Sequence, residues 1–462
     1  MSTEIGPAAA EIGPAAAMGW SGVERTDWPV GWDVRADLAG LIPQMLARRA
    51  IYPLYQPIVD LATRTLVGVE ALARGPAGSP VEFPDALFSA AVRAGLMPQL
   101  DQLCAARSVE IARDAGEIVP PLLFINAEPA ALNHPLTPDL VAAISSPRSF
   151  RLVLEFTERA LATHPAALLD VAYGVHRGSG ALALDDVGAE PLSLAFLPLI
   201  EPEVVKLDMH LLRAPHAAAT IDTATTVCAY AERTGAMVLA EGIETEDDLV
   251  TAQGLGARWG QGWLFGRPGP LSALAGRPVH PYARLRTARP DLHLPTGTPF
   301  GLASIRHFGR SGGQQTVDGL TGHLMSLAAH AGPHAVVLGA FPDPAVGEGW
   351  LPGLTALADT AAFVGIVGPS LAGADPRGVR VATAPAAGPA GTETVLAVVG
   401  PHATAALCAR PGPGDSLEFV LTHDPDLVHA VARLLFRRLG TVPERPDASV
   451  ANRSSAPVTA IR

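Results

Sequence analysis

Between residues 51 and 277, short apolar runs alternate with amphipathic stretches of helical periodicity. The runs predict eight strands, at residues 52–58, 66–72, 122–126, 151–156, 181–185, 204–207, 237–240 and 258–264, with helices between them. Eight strands interleaved with helices over a segment of this length are typical of a (β/α)8 TIM-like barrel. A doubly wound open sheet is the alternative, but it favours a glycine-rich first turn, which this sequence lacks.

Polar residues stand at the ends of most of these predicted strands. They are Glu70, Asn126, Glu155, Asp185, Asp186, Lys206, Glu241 and Gln261. The carboxyl ends of parallel strands meet at one mouth of a barrel, so we expect these side chains to converge. Carboxylate and amide oxygens suit hard cations such as Mg²⁺ or Mn²⁺, and an ammonium beside them suits a phosphate ester. A single acid at a strand end is more often a helix cap or an ion-pair partner, so the prediction depends on the whole set.

Two features of this set are unusual by themselves. Asp185 and Asp186 are adjacent acids directly after a buried run, where divalent cations between them would relieve their repulsion. Lys206 is the only lysine of the chain, whose other cationic side chains are arginines. A compact ammonium at this one position indicates a specific role, although a lysine left there by chance explains the fact equally well.

The composition limits the classes of ligand and location. Acidic residues outnumber basic ones by 45 to 33, so the formal net charge is −12 and a broad basic surface for polymeric nucleic acid is not expected. No apolar stretch of about 18 residues predicts membrane insertion, and the N-terminus lacks the pattern of a signal peptide. Three widely separated cysteines predict neither disulfides nor a cysteine metal site, and a cytoplasmic location is therefore expected.

Taken in order, these residues resemble the signature of the EAL domain, the cyclic di-GMP phosphodiesterase module of bacterial signalling. The tripeptide that names the family stands at residues 70–72, and the other matches are YQPIVD at 55–60, Asn126, EFTE at 155–158, the aspartate pair, KLD at 206–208, AEGIE at 240–244 and QGWLFGRP at 261–268. The resemblance implies metal-dependent hydrolysis of one phosphodiester bond of cyclic di-GMP, which yields linear pGpG.

The resemblance also implies a role for each matching residue. Two divalent metal ions, Mg²⁺ or Mn²⁺, would be held by Glu70, Asn126, Glu155, Asp185, Asp186 and Glu241, with Asp185 bridging them. The implied catalytic group comprises Lys206, Glu241, Gln261 and Glu244, of which Lys206 would orient the attacking water. Gln56 and Arg74 would contact the substrate, and Glu158 would support the loop after the aspartate pair. A homodimer is implied as well.

The loop after the aspartate pair departs from the family pattern. Family members commonly read DDFGTGYSSL, whereas this chain reads DDVGAEPLSL at residues 185–194. In the family this loop couples metal binding to dimerisation, so the change bears on regulation and on affinity for the second metal. No implied metal ligand is lost, which favours an active enzyme. A cyclic di-GMP receptor that scarcely hydrolyses, and a barrel acting on another phosphate ester, are the alternatives.

Outside the barrel, predicted as residues 49–277, four further segments are expected. Residues 1–48 and 442–462 are predicted disordered tails, 278–297 a linker, and 298–441 a smaller mixed α/β domain. Apolar runs at 334–338, 361–367, 379–382 and 395–399 and an amphipathic stretch at 424–439 indicate that domain. It loosely resembles the DICT sensory domain, which implies that it binds an unknown ligand or protein partner and regulates the barrel.

Overall fold

The computed structural model describes residues 38–157, 163–189, 192–281, 283–369, 378–383, 391–401 and 404–439. These residues form a closed eight-stranded barrel followed by a seven-stranded sheet. The predicted fold class, a (β/α)8 barrel followed by a smaller mixed α/β domain, is therefore confirmed. Among the described residues, no helix is both long enough and apolar enough to cross a membrane.

The barrel elements lie close to their predicted positions. The strands are β1 (Leu54–Asp60), β2 (Leu66–Leu72), β3 (Leu122–Asn126), β4 (Arg151–Phe156), β5 (Ala181–Val187), β6 (Val204–Leu207), β7 (Met237–Ala240) and β8 (Trp259–Gln261). The helices are α1 (Leu38–Arg48), α2 (Pro84–Ala94), α3 (Met97–Asp114), α4 (Pro138–Ser145), α5 (Pro165–Arg177), α6 (Leu192–Ile200), α7 (Met209–Arg213), α8 (Ala218–Thr234) and α9 (Glu246–Gly254). Strand β8 ends earlier than predicted because the chain turns at Gly262, whose carbonyl accepts from the Phe265 N–H at 3.1 Å.

Strand β1 breaks the parallel arrangement expected of the barrel. It is antiparallel to both β2 and β8, whereas all pairs from β2 to β8 are parallel. A tight turn joins β1 to β2, and in it the Asp60 carboxylate accepts from the Thr63 N–H at 2.9 Å. Such a short link cannot carry a parallel crossover, which needs a dozen or so residues. Gln56 is nevertheless paired with Glu70, so β1 still delivers its glutamine to the mouth.

The interior of the barrel below the mouth is a packed apolar layer. Phe124, Val153, Ala183 and Val204 are all fully buried in one cluster there. Side chains two positions apart on a strand share a face, so the next inward residues along these strands are the polar ones. This periodicity places the predicted site directly above the apolar layer.

Helix α1 corrects the predicted extent of the N-terminal tail. The prediction assigned residues 1–48 to it, but Leu41, Ile42 and Met45 of α1 are buried in one cluster with Leu87. These three side chains share one face of a helical turn, and packing against α2 stabilises that helix. Residues 1–37 and 440–462 lie outside the described residues.

The C-terminal domain is a mixed sheet with the strand order β12-β11-β10-β13-β14-β15-β9. Its strands are β9 (Arg310–Gly312), β10 (Val336–Ala340), β11 (Phe363–Gly368), β12 (Val379–Thr383), β13 (Thr394–Val399), β14 (Ala405–Pro411) and β15 (Leu417–Thr422), and its helices are α10 (Pro299–Ala303), α11 (Gln314–Ala331), α12 (Pro344–Ala358) and α13 (Pro425–Arg438). Alternate residues of β13 belong to two cores. Leu396 and Val398 pack with α11 and α12, whereas Val395 and Ala397 belong to the core shared by α13 and the barrel.

The predicted linker, residues 278–297, packs against the end of the barrel where the parallel strands begin. His293 is fully buried, and its Nε2 is 3.0 Å from His176 Nδ1. His176 Nε2 is in turn 3.0 Å from a carboxylate oxygen of Glu203, the residue before β6. Burial lowers the pKa of His293 to about 2, so this ring is neutral, and the charge that the linker brings to Glu203 comes from Arg286, whose Nη2 is 3.4 Å from a Glu203 oxygen.

Candidate active site

Lys206 of β6 lies at the centre of the barrel mouth and is fully buried. Its ammonium nitrogen is 2.7 Å from Glu241 Oε1, 2.8 Å from Glu155 Oε1, 2.9 Å from Asp185 Oδ1 and 3.8 Å from Glu70 Oε2. Burial alone would lower the pKa of Lys206, but the four carboxylates hold it well above its usual value. The lysine is therefore a permanent positive charge that partly neutralises the acids around it.

Amide side chains fix the carboxylate of Glu70. Asn126 Nδ2 donates to Glu70 Oε1 at 2.9 Å, and Gln261 Nε2 donates to Glu70 Oε2 at 2.6 Å. Gln261 Nε2 also lies 3.1 Å from Gln56 Oε1, which joins β1 to the same network. Burial by itself would raise the pKa of Glu70, but Lys206 and these hydrogen bonds hold it below its usual value. Glu70 is thus an ionised, immobilised ligand candidate.

A bulge in β5 explains how two adjacent aspartates serve one site. The register between β5 and β6 slips between Leu184 and Val187, and Asp186 has a left-handed backbone with φ of 54°. Adjacent side chains of a regular strand point to opposite faces, but a bulge interrupts this alternation. Asp185 and Asp186 therefore both offer carboxylate oxygens that lie within 4.8 Å of each other and of a Glu241 oxygen. Aspartate adopts the left-handed conformation more readily than most residues do.

The site carries more negative charge than its own residues neutralise. Four carboxylates, those of Glu70, Glu155, Asp185 and Glu241, surround the one ammonium, and a fifth, that of Asp186, lies beside Asp185 and Glu241. Burial, reinforced by neighbouring acids, raises the pKa of Glu155 well above its usual value and that of Glu241 to about 8. Among the described residues, Glu155 Oε2 and Gln261 Oε1 are buried without a hydrogen-bond donor. This donor set fits hard divalent cations, which bind oxygen ligands and supply the missing positive charge.

Two other predicted site residues, Arg74 and Glu244, make contacts of their own outside this cluster. Arg74 is half-buried, and its guanidinium donates to the Ala73 carbonyl at 2.7 Å. Glu244 Oε2 is 3.7 Å from Arg213 Nη2. Glu158, predicted to support the loop after the aspartate pair, lies outside the described residues, as do residues 190–191 of the altered loop. The structure thus brings Gln56, Glu70, Asn126, Glu155, Asp185, Asp186, Lys206, Glu241 and Gln261 together, and the roles of the other three stay predictions.

Sequence reasoning missed Asp101, a buried carboxylate of α3. Its Oδ1 accepts from the backbone N–H of Glu128 at 3.2 Å, two residues beyond Asn126. The adjacent Gln102 binds a later part of the segment between β3 and α4, since its Oε1 accepts from the Thr137 N–H at 2.6 Å. These bonds fix the segment that follows β3 and hence the position of Asn126. The sequence does contain a signal for a buried acid. Asp101 follows Met97 by four residues, about one helical turn, and so lies on the apolar, buried face of α3.

The pH dependence of stability tests whether the buried Asp101 is protonated in the folded protein. Burial raises its pKa to about 8. Because the folded state then binds a proton that the unfolded chain has released, the free energy of unfolding should fall by about 1 kcal/mol between about pH 7 and pH 9 through this residue. Asp101→Asn keeps the acceptor oxygen and removes the titration, so urea unfolding of this variant should show a shallower fall. Equal falls in the two proteins would mean that Asp101 is ionised in the fold.

Comparison with known families and proteins finds that the barrel segment is similar to one family. Residues 41–268, just under half of the chain, match the family model of the EAL domain. A protein of Escherichia coli (strain K12) named as a probable cyclic di-GMP phosphodiesterase, PdeB, is 29% identical over 231 residues, which are 47% of this chain and 42% of the relative. The cyclic di-GMP phosphodiesterase PA2567 of Pseudomonas aeruginosa is 29% identical over 226 residues, which are 46% of this chain and 38% of the relative. These findings support an EAL domain in the barrel.

A solved structure of Klebsiella pneumoniae BlrP1, in a complex with manganese and cyclic di-GMP, is 29% identical to this chain. The match covers 48% of this chain and 56% of the other, with a TM-score of 0.42. The present chain spans less than half of the length of either phosphodiesterase relative. The family match ends at residue 268, and the resemblance of the C-terminal domain to the DICT domain stays a prediction.

Proposed function

We propose that the barrel, whose residues 41–268 match the EAL domain, is a metal-dependent phosphodiesterase that hydrolyses cyclic di-GMP to linear pGpG. The observation that carries the proposal is the cluster of five carboxylates at the barrel mouth, four of which lie around one buried ammonium. Such a concentration of acids is costly for a fold to maintain. It becomes favourable when the site holds cations that bind a phosphate diester.

The metal ligands proposed are the residues that the mouth brings together. Glu70, Asn126, Glu155, Asp185 and Glu241 would hold one divalent ion, and Asp186, with Asp185 bridging, would hold a second. Two such ions, Mg²⁺ or Mn²⁺, would neutralise the scissile phosphate and lower the pKa of a water molecule to near neutrality. The raised pKa of Glu155 and of Glu241 supports this assignment, because a bound cation would favour their ionised forms.

The other residues of the mouth position the reactants. Lys206 is protonated and rigidly held, so it can orient a water or stabilise negative charge that develops on the phosphate. Gln261 connects Glu70 to Gln56 and leaves its own Oε1 buried and available to accept a hydrogen bond from that water. Arg74, with its forked donors, would bind a phosphate oxygen of the substrate.

The C-terminal domain is proposed to regulate the barrel rather than to carry out a second reaction. It has its own core of apolar residues and shares a second core with the barrel. We propose that this domain is sensory and binds an unknown ligand or protein partner. We also propose that the chain assembles into a homodimer and is located in the cytoplasm, a location that the free cysteines favour.

The proposal is tested by reconstituting protein that has been stripped of metal. Addition of Mn²⁺ or Mg²⁺ should restore consumption of cyclic di-GMP, followed by chromatography, and excess chelator should abolish it. Consumption that is equal with and without chelator would contradict the proposed dependence on metal.

The altered loop favours one alternative, a cyclic di-GMP receptor that scarcely hydrolyses. Five of the six residues 187–192, all but Gly188, differ from the family pattern directly after Asp186, the residue proposed to hold the second ion. A receptor would bind the dinucleotide tightly and leave it intact in saturating Mn²⁺. Calorimetry and product analysis on the same preparation separate the two functions.

A further inference from the structure

Helix α6 connects the proposed metal site to the C-terminal domain. It starts at Leu192, six residues after Asp186, and residues 193–200 are all buried. A helix that is apolar on every side requires cover on every side. The C-terminal domain provides part of that cover, because the Phe196 ring centroid is 6.0 Å from that of Phe363 on β11 and 5.7 Å from that of Phe436 on α13.

Arg433 of α13 binds the end of α6 directly. Its side chain is 1% exposed, and its Nε donates to the Leu199 carbonyl at 2.7 Å while an Nη donates to the Pro198 carbonyl at 2.8 Å. The last carbonyls of a helix have no partner within the helix, and a positive charge is favourable at that end. The guanidinium of Arg433, in the C-terminal domain, therefore caps the C-terminal end of α6, a helix of the barrel. Burying a charged group in this way is costly without such partners, which indicates a specific contact.

The other end of α6 lies near the aspartate pair, because α6 packs against β5, the strand that carries both aspartates. The Ala189 N–H donates to the Asp186 carbonyl at 3.1 Å, and the Asp208 N–H donates to the Val187 carbonyl at 3.1 Å. Gly188 has a φ of 105°, and a Cβ there would lie 2.6 Å from a side-chain atom of Leu211. The described part of this turn thus has little freedom to absorb a movement of α6.

We propose that Arg433 is a positioning residue for Asp186, acting through α6. The inference rests on the proposed metal site and goes beyond it, since it assigns to the C-terminal domain a defined mechanical contact with one ligand. When Arg433 holds the end of α6, the bulge that directs Asp186 into the mouth is stabilised. A change in the position of α13 relative to the barrel is transmitted along α6 to the proposed second metal ion. The contact between Arg433 and α6, the helix that follows the altered loop, is made within one chain.

The test compares Mn²⁺ binding in full-length variants without substrate. Arg433→Lys keeps the charge but cannot form both bonds of the guanidinium fork. Arg437→Ala is the matched control, because Arg437 lies on the same helix and pairs with Asp170 of α5 at 3.2 Å on the exposed surface. Titration by electron paramagnetic resonance should show that one of the two Mn²⁺ sites is weakened about tenfold in Arg433→Lys, as for other residues that orient metal ligands. The control should bind as the unaltered protein does.

Thermal unfolding of each variant separates positioning from general stabilisation. If Arg433→Lys melts at a lower temperature but binds both ions with unchanged affinity, Arg433 only stabilises the domain contact and the inference is overturned. Selective weakening of one site in a protein that remains folded at the titration temperature supports it. Because no substrate is present, the titration is decisive even if the chain fails to hydrolyse cyclic di-GMP. Absence of that hydrolysis would count against the proposed function alone.

Discussion

Glu70→Gln is expected to lower the rate of cyclic di-GMP hydrolysis by about a thousandfold or more, since loss of a ligand charge removes several kcal/mol of transition-state stabilisation. Glu70 is 6% exposed, and glutamine keeps its shape but not its charge. Its amide nitrogen also replaces an oxygen that accepts from Asn126 or Gln261, so one of these two hydrogen bonds is lost. Initial rates at saturating Mn²⁺, measured by chromatography, give the comparison.

Glu246→Gln is a suitable control for this measurement. Glu246 is an exposed acid at the start of α9, paired with Arg64 at 2.6 Å. Its substitution should leave the rate unchanged, because surface pairs contribute little. Hydrolysis by Glu70→Gln at the rate of the unaltered protein would rule out the proposed ligand set.

Lys206→Met is expected to have two separate effects. The rate of hydrolysis should fall by about 10² to 10³, because a preorganised charge at the reacting phosphate is lost. The metal-free protein should also lose about 3–5 kcal/mol of stability, since the acids around Lys206 are left without their buried counter-charge. Saturating Mn²⁺ should reverse much of this second effect by neutralising the same acids. Thermal unfolding with chelator and with Mn²⁺ measures it, and an equal loss under both conditions would contradict the shared electrostatic role.

The position of the site could be predicted from the sequence because barrel strands obey two simple periodicities. Apolar runs define the strands, and side chains two positions apart share a face, so Asn126 follows Phe124 and Glu155 follows Val153 into the mouth. The acidic ends of separate strands then meet because parallel strands have their carboxyl ends at one rim. Neither argument requires knowledge of distant contacts.

Other features depend on contacts that no local pattern encodes. The bulge at Asp186 arises from the pairing of β5 with β6, and the reversed direction of β1 follows from its tight turn and its pairing with β8. Asp101 resembles any helical acid until its partner, the Glu128 backbone, is known. Arg433 and its partner Leu199 are separated by 234 residues. The strands β9, β14 and β15 were not predicted; β14, for example, contains no β-branched or aromatic residue, the types that are enriched in strands.

In the proposed reaction, water opens one phosphodiester bond of cyclic di-GMP at this mouth. Mass spectrometry of the products formed in ¹⁸O-labelled water, with full-length protein and Mn²⁺, tests it most directly. We expect linear pGpG with a single ¹⁸O in its terminal phosphate, and only traces of product from Glu70→Gln under the same conditions. Cyclic di-GMP that is bound but recovered intact and unlabelled at saturating Mn²⁺ would contradict it.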